Sequence, residues 1–130
     1  MTHDRDAPSV VIVHGAWVDG TSWREVIALL HVKGVSVIAV QNPLSALEDD
    51  VDAVVRVVKR QSGPVVLVGH GYGGTVITQA GDHATVAALV YVAACAPDIG
   101  ESTTDVGRTV HCRLLSVDSK STPVGFSTCR

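Results

Sequence analysis

Four short runs of almost uninterrupted apolar residues punctuate the first hundred positions: Val10-Val11-Ile12-Val13, Val35 to Val40 (V-S-V-I-A-V), Val65-Val66-Leu67-Val68 and Val86 to Val92 (V-A-A-L-V-Y-V). They are rich in β-branched residues and lack polar alternation, as strands buried on both faces of a parallel sheet must. The stretches between them carry a helical period. Ser22-Trp23-Arg24-Glu25 fits a capping box, and Val26, Ile27, Leu29 and Leu30 follow as a stripe that stops at Gly34. Ser45-Ala46-Leu47-Glu48 fits a second box, with Leu47, Val51, Val54, Val55 and Val58 on one helix face before Gly63-Pro64 ends it. A third helix is predicted to open at the glycines of positions 69 to 74 and to run through Thr75, Val76, Ile77 and Gln79 to Gly81. The order β-α-β-α-β-α-β, wound with right-handed crossovers, gives an α/β fold: a three-layer α/β/α sandwich with a mostly parallel sheet.

The glycine segment Gly69-His70-Gly71-Tyr72-Gly73-Gly74 satisfies two patterns at once. Gly69, Gly71 and Gly74 match the dinucleotide fingerprint G-x-G-x-x-G, which also wants an acidic residue roughly 20 positions on and a place in the first strand-helix turn of its domain. Here Asp98 arrives late and two strand-helix units come first. Gly69 and Gly73 instead match G-x-S-x-G, with Gly71 standing where the serine belongs. A second motif, His14-Gly15-Ala16-Trp17, follows the first strand.

With Trp23 and the later Ala96-Pro97-Asp98-Ile99-Gly100-Glu101, these motifs resemble the small α/β-hydrolases, in particular bacterial esterases and the plant methylesterase and hydroxynitrile-lyase group, over roughly Ser9 to Thr104. The resemblance implies the N-terminal part of a truncated α/β-hydrolase fold and acyl chemistry on a small-molecule ester or carboxylate. It implies a Ser, Asp and His triad with no metal or organic cofactor. It makes the backbone N–H groups of Ala16 and Tyr72 the donors of an oxyanion hole. It also places His14, Gly15, Trp17 and His70 around the ligand, with His14 bracing its loop rather than carrying a proton and His70 positioning the turn rather than titrating in catalysis.

The chain departs from that pattern at its centre. Gly71 has neither hydroxyl nor thiol and cannot form an acyl-enzyme, although glycine suits a strained turn better than serine does. The downstream candidates Asp82, His83, Asp98, Asp105, His111 and Asp118 do not supply an acid and then a histidine with a strand-helix-strand between them. The expectation is an esterase-type family member that is inactive, or nearly so, without that serine. The alternatives are a non-catalytic module for an acyl or carboxylate ligand and a dinucleotide-binding fragment.

Composition narrows the partners. A chain of 130 residues, 46% hydrophobic, holds one core, and a net charge of −3 without a basic cluster argues against nucleic acid or an anionic membrane. The polar N-terminus and the absence of a long apolar stretch point to a soluble cytoplasmic protein. Cys95, Cys112 and Cys129, odd in number and without metal spacing, suit thiols in a reducing compartment. Residues 1–107 carry a charge balance of −6 and residues 108–130 one of +3, with seven Ser or Thr among the last 23 positions. Residues 1–107 are therefore expected to form the folded part, and residues 108–130 a divergent, weakly structured tail; a change of reading frame near residue 107 and a genuine short tail both account for the turnover. With such a tail, the Val86 to Val92 strand would present a bare apolar edge, inviting self-association.

Overall fold

Short β-branched segments joined by amphipathic helices have few ways to bury both strand faces, and the chain adopts one of them. A computed structural model describes residues 7–94, 96 and 116–119, the last four as a strand without side-chain detail. The elements are β1 (Ser9–Val13), a 3-10 turn (Gly20–Trp23), α1 (Arg24–Val32), β2 (Ser36–Val40), α2 (Leu47–Val58), β3 (Val65–His70), α3 (Tyr72–Ala80), β4 (Val86–Val92) and β5 (Ser116–Ser119). They form one sheet in the order β2-β1-β3-β4-β5. The first four strands are parallel and β5 runs antiparallel to β4. The chain steps from β1 out to β2, then back past β1 to β3 and β4. Right-handed crossovers put α1 on one face and α2 with α3 on the other, and α2 packs on α3.

The two faces are not equally covered. Beneath α2 and α3, Val11, Val13, Val65 and Leu67 of the sheet meet Val54, Val58, Val76, Ile77 and Ala80 in a sealed core. Each large side chain among them contributes about 1.5–3 kcal/mol by leaving water. On the opposite face, Val66, Val68 and His70 pair in register with Ala88, Val90 and Val92, and all six stay half-buried. α1 buries no residue completely; Leu29 is 65% and Val32 87% exposed. Among the described residues no helix is long and apolar enough to cross a membrane.

Helix ends differ from the sequence pattern at two of three places. α1 ends as expected: Gly34 adopts φ 76°, its N–H reaches the His31 carbonyl (2.9 Å), and the Val35 N–H reaches Leu30 (3.0 Å). Neither capping box forms. Asp19, not Ser22, caps the 3-10 turn through the Thr21 N–H (2.8 Å), and the Ser22 hydroxyl donates back to the Asp19 carbonyl. The Thr21 hydroxyl and then its N–H hold the Asp19 carboxyl below the ordinary carboxylate range. At α2 the Ser45 hydroxyl donates to the Asp49 carboxylate (2.6 Å) and the cap residue, Ala46, has no side-chain bond. In both places the serine hydroxyl finds another acceptor and leaves the helix start uncapped by it.

The outer edge of β4 also differs from expectation. β5 pairs with it from Ala88 to Tyr91, so part of the tail supplies a strand and that edge is not bare. Among the described strands the unpaired edge of β2 is the apolar one left open.

Candidate active site

Because β1 and β3 are parallel neighbours with Val13 opposite Gly69, the segments His14-Gly15-Ala16 and His70-Gly71-Tyr72 leave the sheet side by side at its carboxyl end. The turn after β3 is sharp: Gly71 sits at φ 55° and ψ −121°, and α3 begins at the next residue. The approach is so close that a methyl on Gly69 would lie 2.5 Å from the Gly73 carbonyl oxygen, and one on Gly73 would overlap that of Val13. A methyl on Gly71 would meet only the Gly15 Cα, at 3.8 Å. The pair that sterics demands is thus Gly69 and Gly73, the frame of G-x-S-x-G. Position 71 has room for a side chain beside the β1 loop.

Neither the Ala16 nor the Tyr72 backbone N–H donates to an acceptor among the described residues. Ala16, His70, Gly71 and Tyr72 are half-buried and Gly15 is buried. His14 is 1% exposed with both ring nitrogens engaged: the Asn42 N–H donates to Nε2 (3.0 Å), so Nδ1 carries the proton and donates to the Gly15 carbonyl (2.8 Å). It braces the loop, and neither ring nitrogen is left free to hydrogen-bond a ligand. Trp17 is 98% exposed and lines an open depression of about 560 Å³ together with Ala16, Val18, Asp19, Thr21 and Ser22. Trp23 is buried instead, edge-on to the His70 ring at 6.2 Å and 88°.

Residues that no motif marks hold the site together. Asp50, on α2, is 1% exposed. One carboxylate oxygen accepts the Leu44 N–H (2.8 Å) and the other the Tyr72 hydroxyl (2.7 Å). The Asn42 side-chain N–H₂ donates to the His14 carbonyl (3.3 Å). Burial pushes the Tyr72 phenol above its ordinary value, aided by the hydrogen bond to Asp50 and by the charges of Asp50 and Glu48. The raised value means that Tyr72 stabilises the fold below the ordinary tyrosine pKa of about 10 and loses that contribution as pH rises through the folded-state value. Of the triad candidates, His83 lies beyond the far end of α3, bonded to the Thr85 hydroxyl (3.0 Å). Asp98, Asp105 and His111 lie outside the described residues, as does the side chain of Asp118.

Residues 10–125 match the model of the alpha/beta hydrolase family, a match that continues past Gly107. The chain belongs to that family. Among hydrolase-family relatives it is 31% identical to a probable hydrolase, R7, of a Phoma species, over 75% of this chain and 47% of that protein. It is 32% identical to a carbendazim hydrolyzing esterase of a Nocardioides species, over 71% and 44%. The chain thus spans just under half the length of either relative. A pyrethroid hydrolase from Sphingobium faniae superposes with a TM-score of 0.60 at 27% identity, over 68% of this chain and 40% of that one. Tomato methylketone synthase I, complexed with 2-tridecanone, shares the hydrolase fold with a TM-score of 0.65 at 23% identity, over 80% and 46%.

Proposed function

We propose that this chain is an esterase-type hydrolase domain that binds an ester carbonyl or a carboxylate at the Gly71 turn and, as written, does not turn esters over. The observation that carries the reading is Gly71 itself, which has the backbone of a strained, nucleophile-bearing turn and only hydrogen where the attacking oxygen would be attached. Two N–H groups without acceptors among the described residues, Ala16 and Tyr72, flank it, and the Tyr72 N–H opens α3, whose N-terminal end favours negative charge. The name of the Nocardioides relative supports an ester as the substrate class.

The test is a titration with acetate followed by ¹⁵N NMR, run beside hydrolysis of p-nitrophenyl acetate. Saturable shifts centred on the Ala16 and Tyr72 amides, with hydrolysis at the buffer rate, are expected. Hydrolysis above the buffer rate would sink the inactivity, and silent amides would sink the binding.

We further propose that self-association, where the chain shows it, runs through the α1 face and not the β4 edge, since Leu29 and Val32 are exposed while β5 pairs with β4. Replacing both by Lys is expected to lower the mass seen by light scattering while changing the unfolding free energy by less than about 0.5 kcal/mol. Association that survives the double change would point to the β2 edge.

A further inference from the structure

Asp50 is an ionisable group buried near the site, and the proposed binding chemistry does not use it. It lies in the first turn of α2, on the same stretch of helix as the half-buried Leu47 and Val51 and the buried Val54. A carboxylate in such surroundings is costly unless its oxygens are hydrogen-bonded, and both of them are. One accepts from the loop that joins β2 to α2, the other from the residue that follows Gly71.

The loop side of this junction reaches further. Leu44, whose N–H is held by Asp50, takes the left-handed φ of 59° that a non-glycine residue rarely adopts. Two residues earlier, Asn42 bonds His14 twice, through its backbone N–H to the ring and through its side chain to the carbonyl. His14 in turn holds the Gly15 carbonyl. A chain of hydrogen bonds and short covalent links therefore runs from the residue before Ala16, through His14, Asn42, Leu44 and Asp50, to the side chain of Tyr72. It joins the two strand-end loops by way of the third.

We infer that Asp50 is a positioning residue: one buried carboxylate ties the β2 loop to the start of α3, so that the N–H groups of Ala16 and Tyr72 are held as one preorganised pair. The inference rests on the proposed anion-binding reading for its purpose, but the coupling itself is measurable without a ligand. Two amides report it, neither touching Asp50: the Asn42 N–H, bonded to His14, and the Gly74 N–H, bonded to the Gly71 carbonyl at 3.1 Å.

The experiment is amide hydrogen exchange on the whole chain with Asp50→Asn and Tyr72→Phe, at matched unfolding midpoints. In Asp50→Asn, exchange at Asn42 and Gly74 is expected to quicken together by about tenfold, as the loss of one ordinary hydrogen bond would give. In Tyr72→Phe only Gly74 should quicken, because the Asp50 to Leu44 bond remains. Loss of protection at Leu44 alone in Asp50→Asn, or no change at Gly74 in Tyr72→Phe, would overturn the proposal. Two further readouts separate a positioning role from general loosening. The Tyr72 Cζ resonance should titrate at lower pH in Asp50→Asn. Acetate affinity should fall about tenfold in both variants, short of the ~10²-fold that a full 1 Å misplacement can cost. Acetate binding equal to the parent in both variants would refute the role in positioning, whereas a parent that binds no acetate would refute the anion-binding reading and leave exchange to decide the coupling.

Discussion

Gly73→Ala is expected to destabilise the fold severely, and Gly69→Ala nearly as much. The added methyl of the first would overlap the Val13 carbonyl oxygen and lie 2.9 Å from that of His14. Both belong to the backbone at the end of β1, a strand held on either side by β2 and β3, so neither can retreat without unzipping the sheet. The methyl of the second would strike the Gly73 carbonyl at 2.5 Å and the Gly74 nitrogen at 2.8 Å, pushing the first turn of α3 off β3. Overpacking ordinarily costs about 1–3 kcal/mol where side chains can give. With backbone on both sides the cost should exceed about 3 kcal/mol, a large share of the roughly 5–15 kcal/mol that holds a domain together. Urea unfolding followed by circular dichroism is the check, and a cooperative transition near the parent midpoint in either variant would mean that α3 is not seated as closely as described.

Gly71→Ser should behave in the opposite way. Its Cβ meets only the Gly15 Cα at 3.8 Å, so the cost is conformational: a residue other than glycine in this sparsely populated backbone region loses about 1–3 kcal/mol. The variant should fold, at lower stability, with its hydroxyl beside the β1 loop. It should not become an efficient esterase. His14 has both ring nitrogens committed, and among the described residues no carboxylate and imidazole pair addresses position 71. Turnover of p-nitrophenyl acetate no faster than the parent's, without a burst of acyl-enzyme, is the expected result. A burst, or stoichiometric labelling by a fluorophosphonate at the rate of an active serine hydrolase, would mean that a base reaches the introduced hydroxyl and that Gly71 alone silences the parent.

The strands, the crossover helices and the glycine turn were legible because each is a local or periodic signal. Val86 to Val92 reads as one buried strand in any context, and Gly69 with Gly73 marks a close helix-strand contact whatever the residue between them. The helix starts misled for a definite reason. Ser45 and Glu48 have the spacing of a capping box, but Asp49 competes for the same hydroxyl, and single-sequence patterns do not rank such competitors. The Asp50 junction was invisible for another reason. Asp50 meets Tyr72 across 22 positions and Asn42 meets His14 across 28, and an aspartate early in a helix ordinarily reads as a favourable, solvated charge near the dipole. A polar residue at position 50, beside the apolar stripe of Leu47, Val51 and Val54, was the one available hint.

The uneven covering of the sheet alters how the molecule meets heat and cold. Unfolding raises heat capacity in proportion to the apolar surface newly wetted, typically by about 12–15 cal/mol/K per residue. Leu29, Val32 and the half-buried valines of β3 and β4 are already partly hydrated in the folded state and add little to that increment. The increment per residue should therefore be small, and the stability curve correspondingly shallow. A chain built this way should lose stability slowly on cooling and heating away from its maximum, which delays cold denaturation.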